Sequence, residues 1–184
     1  MKRNLILFFD CGDTIIDEAT QVRDARGIVT EAVPIQGMDS AVKALHDNGF
    51  RMALVADGET ESFANILRLT GLEDCFEERV ISEEVGVQKP AQIMFETAVR
   101  RMGLSEADRS NILMIGNNLK KDIAGANRAD IASVWMDWSP RYFHSFEEPD
   151  WEPDFTVNSA DELVRLVWQL EKWVVTRLLR ANQK

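Results

Sequence analysis

Cysteine is scarce, with two thiols, Cys11 and Cys75, in 184 residues. Two cysteines cannot make a disulfide framework, and two histidines add too little for a zinc site. Long apolar runs are missing as well. The run from Leu5 to Phe9 stops at Asp10, too short for the apolar core of a signal peptide and far from the ~20 residues of a membrane span. Positive charge is in deficit, with Lys+Arg 21 against Asp+Glu 31 and a formal charge of −10. An acidic surface repels phosphate backbones, and the densest basic stretch, Arg177 to Arg180, is only the tail of a helical segment. Repeats, linkers and low-complexity segments are absent. The expectation is a soluble, cytoplasmic protein with no nucleic-acid and no membrane partner.

What is present is enough apolar residue, 45%, for one sizeable core, read as a single domain over residues 1–184. Short apolar runs alternate with amphipathic stretches. Strands are expected at Leu5–Phe9, Met52–Val55, Arg79–Ile81, Ile112–Ile115 and Ile131–Met136, with a last edge strand at Phe155–Val157. Helices are expected at Asp39–Asn48, Thr60–Thr70, from Pro90 as N1 residue to Gly103, at Leu119–Ala129, and after the capping box Ser159-Ala-Asp-Glu162. This alternation gives an α/β fold, a three-layer Rossmann-like sandwich with a mainly parallel sheet. Chemistry in such sheets sits at the carboxyl ends of the strands. The residues there are Asp10, Ala56-Asp57, Ser82, Gly116-Asn117 and Asp137.

At those strand ends the chain resembles the haloacid dehalogenase-like (HAD) hydrolases. Phe9-Asp-Cys-Gly-Asp-Thr14 is similar to the first motif, which opens with a nucleophilic Asp. Met52 to Gly58 occupies the second, Val85-Gly-Val-Gln-Lys-Pro90 the lysine-bearing third, and Ile115 to Ala126 the acidic fourth. The resemblance implies Asp10 as nucleophile and Lys89 as the charge that balances it. It implies Mg²⁺ as cofactor, held by Asp10, the Gly12 carbonyl, Asn117 and Asp122. Thr14, Asp57 and Asn118 are the implied substrate contacts. Two anions must meet in such a reaction, which is why a hard cation and a lysine accompany the carboxylate. About twenty residues separate Asp17 from Asp39, room for a flap or short hairpin but not for a large cap domain. A capless site suits a phosphorylated small molecule or a bulky phosphorylated substrate.

Three positions depart from the family pattern. Gly12 stands where a second Asp usually protonates the leaving group, help worth ~10²–10⁴-fold. Asp13, one position further, is the nearby acid that could replace it. Ala56 stands for the usual Ser or Thr, leaving Asp57 to repel phosphate unless the metal or Lys89 offsets it, with Thr60 read as a replacement hydroxyl or as the cap of the helix that follows. Asn117 stands for Asp and removes one charge from the metal site. Two readings follow: a slow Mg²⁺-dependent phosphatase working through an aspartyl-phosphate on Asp10, or a HAD-fold protein with weak or no turnover that binds a phosphorylated ligand or a protein partner. Dehalogenase members also lack the second Asp, but their arginine-bearing helical cap is not recognisable here. The loop Asp137–Asp154 carries Trp138, Tyr142, Phe143, His144, Phe146 and Trp151, and packing on the body is its expected role. On the last helix a second apolar stripe of Val164, Trp168, Val175 and Leu179 suggests a homodimer through that helix.

Overall fold

In the computed structural model of the chain, residues 3–141, 145 and 147–181 are described, the side chains of 177–181 excepted. Strand β1 (Ile6–Phe9) is followed by a hairpin of β2 (Ile16–Arg23) and β3 (Val29–Pro34). Next come α1 (Met38–Asp47), β4 (Arg51–Ala56), α2 (Thr60–Thr70), β5 (Glu78–Ile81), the single turn α3 (Ser82–Val85), α4 (Gln92–Arg101) and β6 (Ile112–Gly116). A π turn at Leu119–Ile123 runs into α5 (Ala124–Arg128), before β7 (Ala132–Met136), β8 (Phe155–Val157) and α6 (Ala160–Ala181). Six strands form one sheet in the order β5-β4-β1-β6-β7-β8, and every neighbouring pair is parallel.

Strand alternation builds the layers. Leu7 and Phe9 point to the side covered by α1, α2 and α6, whereas Ile6 and Phe8 point to the side covered by α4 and α5. All four are buried, which is why β1 reads as an unbroken apolar run. The β2–β3 hairpin is the flap for which the segment after Asp17 left room. It is pinned to α2 by Val29 N donating to Ser62 Oγ (3.0 Å), by Asn65 Nδ2 donating to the Val29 carbonyl (2.9 Å), and by a two-pronged Arg26–Glu61 ion pair.

Three expectations change. Pro90 is not the N1 residue of a helix: α4 begins at Gln92 after an extended Ala91, and Pro90 closes the Lys89 loop through a cis peptide bond. The Leu119–Ala129 segment is not a regular helix, because the Asn118 carbonyl accepts from three successive N–H groups, those of Lys121, Asp122 and Ile123, and widens the first turn. The second apolar stripe of α6 is partly used within the chain. Val164 and Trp168 pack on the core, with Trp168 edge-on to Phe50 at 5.4 Å and beneath the Arg3 guanidinium at 4.4 Å. Leu179 lies outside the described side chains, as do Tyr142, Phe143, His144 and Phe146 of the aromatic loop. Trp138 and Trp151 of that loop both pack on the body. No described helix is long and apolar enough to cross a membrane.

Candidate active site

The connections run outward in both directions from β1, so the crevice between β1 and β6 is the topological switch point, where open α/β sheets bind ligands. Asp10 is the first residue beyond β1, and its N–H donates to the Ile115 carbonyl of β6 at 2.9 Å. Asp57 follows β4, Asn117 follows β6, and the loop after α3 brings in Lys89. These residues, with Gly12, Glu18, Asn118, Lys121 and Asp122, line a cleft of ≈ 370 Å³.

Lys89 is the centre of the charge arrangement. Its side chain is 1% exposed, yet its Nζ lies 2.7 Å from Asp10 Oδ1, 2.7 Å from Asp122 Oδ1 and 2.8 Å from the Val55 carbonyl. Burial alone would lower its pKa, but the Asp10, Asp122 and Asp57 carboxylates carry it above its ordinary value, so it is a fixed cation. Asp122 goes the other way. Burial and the nearby Asp10 charge raise its pKa to about 6 against the pull of Lys89. The other oxygen of Asp10 accepts from Thr14 Oγ1 at 3.2 Å, so both carboxylate oxygens are oriented.

Thr14, expected as a substrate contact, is fully buried outside the cleft lining, and its hydroxyl is turned to the Asp10 carboxylate. Asp57 does line the cleft, and its charge is neutralised by Lys121 Nζ at 2.9 Å, while Oδ1 accepts the Lys89 N–H at 3.0 Å. Asn118 also lines the cleft, with its amide oxygen engaged in capping the N–H groups of Lys120 and Lys121. Asp13 does not face the cleft. It is buried, held by Arg141, and accepts the Glu18 N–H at 2.9 Å. Thr60 opens α2 outside the cleft lining.

Four further residues that the sequence reading did not single out shape the site. Lys121 was visible only as one of two lysines in the fourth motif, with nothing to say which faced inward. Trp135 Nε1 donates to the Asn117 carbonyl at 2.9 Å. Trp138 Nε1 donates to the Asp13 carbonyl at 2.6 Å, and Arg141 pairs with both Asp13 and Asp17. Contacts spanning more than 120 residues leave no local signal. The Cys11 thiol beside Asp10 is held protonated, since burial first, and then the Asp10 and Glu18 charges, push its pKa well up.

The donor set suits a hard cation. Asp10, Asp122, Asn117 and the Gly12 carbonyl offer oxygen, the donor that Mg²⁺ takes. Two buried polar atoms there stand out: Asp122 Oδ1, which faces the Lys89 ammonium at 2.7 Å, and Asn117 Nδ2, which has no hydrogen-bond partner. Half a turn of the Asn117 amide puts an acceptor oxygen in the second place. Among the described residues no cluster of three or more His, Cys, Asp or Glu forms a metal site.

A family model described as haloacid dehalogenase-like hydrolase matches residues 12–130. Pyrimidine 5'-nucleotidase YjjG of Escherichia coli is 35% identical over 135 residues, covering 73% of this chain and 56% of that protein. Glyceraldehyde 3-phosphate phosphatase of Methanopyrus kandleri is 35% identical over 135 residues, 70% of this chain and 54% of that one. The match spans little more than half the length of either relative. The magnesium-bound structure of the putative HAD-hydrolase YfnB from Bacillus subtilis superposes with a TM-score of 0.72 at 20% identity, over 90% of this chain and 99% of that one. That likeness concerns the fold.

Proposed function

The chain belongs to the haloacid dehalogenase-like hydrolases, and from that premise we propose that it is a Mg²⁺-dependent phosphoric monoester hydrolase working through an aspartyl-phosphate on Asp10. The observation that carries this reading is the setting of Asp10, a carboxylate at the open end of the central strand with one oxygen held by Lys89 and the other by Thr14. In this reading Asp10 attacks phosphorus, and Lys89 holds the charge that the phosphoryl group brings beside it. Thr14 and the Val55 carbonyl keep nucleophile and cation in register, and Lys121 cancels the Asp57 charge at the entrance. Asp10, the Gly12 carbonyl, Asn117 and Asp122 would hold Mg²⁺, which would supply the remaining neutralisation between two anions. Support comes from relatives named as a pyrimidine 5'-nucleotidase and a glyceraldehyde 3-phosphate phosphatase, and from a magnesium-bound structure of the same fold. The substrate class is a phosphorylated small molecule.

The test is an assay of purified protein on para-nitrophenyl phosphate and a panel of phosphorylated metabolites, with Mg²⁺ and with EDTA. Turnover is expected with Mg²⁺ only, and Asp10→Asn is expected to lower it more than about 10³-fold, the scale seen when a nucleophile is removed. Absence of turnover above the Asp10→Asn background on every substrate overturns the reading and leaves a binding protein, for which Gly12 and Ala56 would then be the explanation.

A further inference from the structure

A phosphatase site of this kind needs a proton carrier. The alkoxide leaving group of an alkyl phosphate takes up a proton as it departs, and Gly12 has no side chain to deliver one. We propose that Glu18 of β2 is the general acid and base of this site, in the space that the side chain of position 12 leaves open. This inference rests on the aspartyl-phosphate reading and deepens it.

A Cβ added to Gly12 would stand 1.9 Å from Glu18 Oε1, 2.7 Å from its Cδ and 3.0 Å from its Cγ. The Glu18 oxygen thus lies within about two bond lengths of the point from which an aspartate at position 12 would project its own carboxylate. Glycine at 12 and glutamate at 18 are complementary halves of one arrangement, since a side chain at the first displaces the second. Glu18 lines the cleft together with Asp10, Lys89 and Asp122. Its backbone is fixed from behind: the Glu18 N–H donates to Asp13 Oδ1 at 2.9 Å, and Asp13 is buried and gripped by Arg141 and, at its carbonyl, by Trp138. Arg141 also holds the neighbouring Asp17 at 2.6 Å. The network that the motifs did not announce therefore anchors the strand that presents Glu18.

The chemistry balances in two steps. A carboxylate oxygen of Asp10 bonds to phosphorus, the bond from phosphorus to the alcohol oxygen breaks, and its electron pair goes to that oxygen. The proton on Glu18 Oε1 passes to the same oxygen, and the alcohol leaves. Glu18, now a carboxylate, takes a proton from water as the water oxygen bonds to phosphorus. The bond from phosphorus to Asp10 breaks with its electron pair returning to the carboxylate, inorganic phosphate leaves, and both side chains are restored.

The test compares the full chain with Glu18→Gln and with the double variant Gly12→Asp/Glu18→Ala, all with Mg²⁺. Para-nitrophenyl phosphate has a leaving group that needs little protonation, and glycerol phosphate has one that needs it. Glu18→Gln is expected to lower kcat on glycerol phosphate by ~10²–10⁴-fold. On para-nitrophenyl phosphate it is expected to keep a rapid burst of about one nitrophenolate per site, followed by slow steady turnover as the aspartyl-phosphate accumulates. The double variant is expected to regain at least tenfold on glycerol phosphate, because the acid is restored from position 12. Equal losses on both substrates with no burst, as from a merely structural role, overturn the proposal, and so does an undiminished Glu18→Gln. Thermal melts of both variants separate misfolding from chemistry, and if Glu18→Gln does not fold, failure of the folded double variant to turn over glycerol phosphate overturns the proposal. Wild-type protein without turnover on either substrate is a different result, which overturns the phosphatase reading itself.

Discussion

Lys89 is the residue on which the buried charge arrangement and the proposed chemistry both turn. It separates Asp10 from Asp122 at 2.7 Å on either side, deep in the protein. Lys89→Met leaves those carboxylates without their cation, and breaking a buried ionic cluster from one side costs about 3–5 kcal/mol. Urea unfolding in EDTA at neutral pH is expected to show a loss of that size. The pH dependence has a definite sign. Asp122 is raised from its ordinary 3.8 to about 6, so the folded chain binds that proton before the unfolded chain does. The associated stabilisation is complete below the unfolded value and disappears as pH rises through about 6. The Lys89→Met deficit should therefore shrink on acidification from pH about 7.5 to about 5.5, and a deficit that grows would contradict the charge arrangement. A second expectation concerns thiols: with Cys11 and Cys75 buried and their pKa values raised, an aromatic disulfide reagent at neutral pH should react with neither until the protein unfolds. Asp10, Lys89, Asn117 and Asp122 were legible in the sequence because each stands in an ordered motif at or near a strand end. The direction of Thr14 was not, since four residues beyond Asp10 the chain has turned under the carboxylate, and a side chain there faces Asp10 from behind.

Elements carry the site through close packing that tolerates little change. Gly125 of α5 lies against α4, and a Cβ there would meet Phe95 Cε2 at 2.3 Å, Phe95 Cζ at 2.5 Å and Pro90 Cα at 3.2 Å. The Phe95 ring is fully buried and the Pro90 contact is backbone, so neither yields cheaply. Gly125→Ala is expected to cost about 1–3 kcal/mol, the range for overpacked cores, and to lower activity as well, since Pro90 adjoins Lys89. Helix α6 is tied to the start of β1 by one side chain. Glu171 is buried and accepts from the N–H groups of Asn4 and Leu5 at 3.0–3.2 Å. Glu171→Ala leaves these two backbone donors and the Asn4 side-chain amide unpaired, expected to cost on the order of 2–4 kcal/mol by thermal or urea unfolding. A near-neutral effect would show that water replaces the carboxylate. Strands and most helices were legible because an apolar run or an apolar stripe follows directly from which face is buried. Glu171 was not, because on a helix with so many charges its one inward carboxylate has the same spacing as its outward neighbours. Pro90 misled for a related reason: its fixed φ suits a first helical turn and equally suits the end of a loop.

The whole molecule is acidic, and its cleft is too. Five carboxylates, Asp10, Glu18, Asp57, Glu59 and Asp122, line it against the three cations Arg23, Lys89 and Lys121, within a chain of formal charge −10. Both the local and the overall field therefore oppose a phosphate and favour a cation, so ligand order should be fixed by electrostatics. Mg²⁺ alone is expected to raise the melting temperature. At a hundredfold excess over its Kd the gain is about 2.7 kcal/mol, or roughly 5–10 °C for a chain of this size. Inorganic phosphate alone should give no shift beyond that of sodium chloride at equal ionic strength. Phosphate added after Mg²⁺ should raise the midpoint further, because the cation cancels the net negative charge of the site. Asp122→Asn removes one of the metal's carboxylates while leaving Lys89 its partner Asp10, and should weaken the Mg²⁺ shift and the dependent phosphate shift together. If phosphate stabilised the metal-free protein as strongly as the Mg²⁺-loaded one, Lys89 and Lys121 would suffice to hold an anion against the surrounding carboxylates. The site would then be an anion receptor in its own right, and the requirement for a cation would fall.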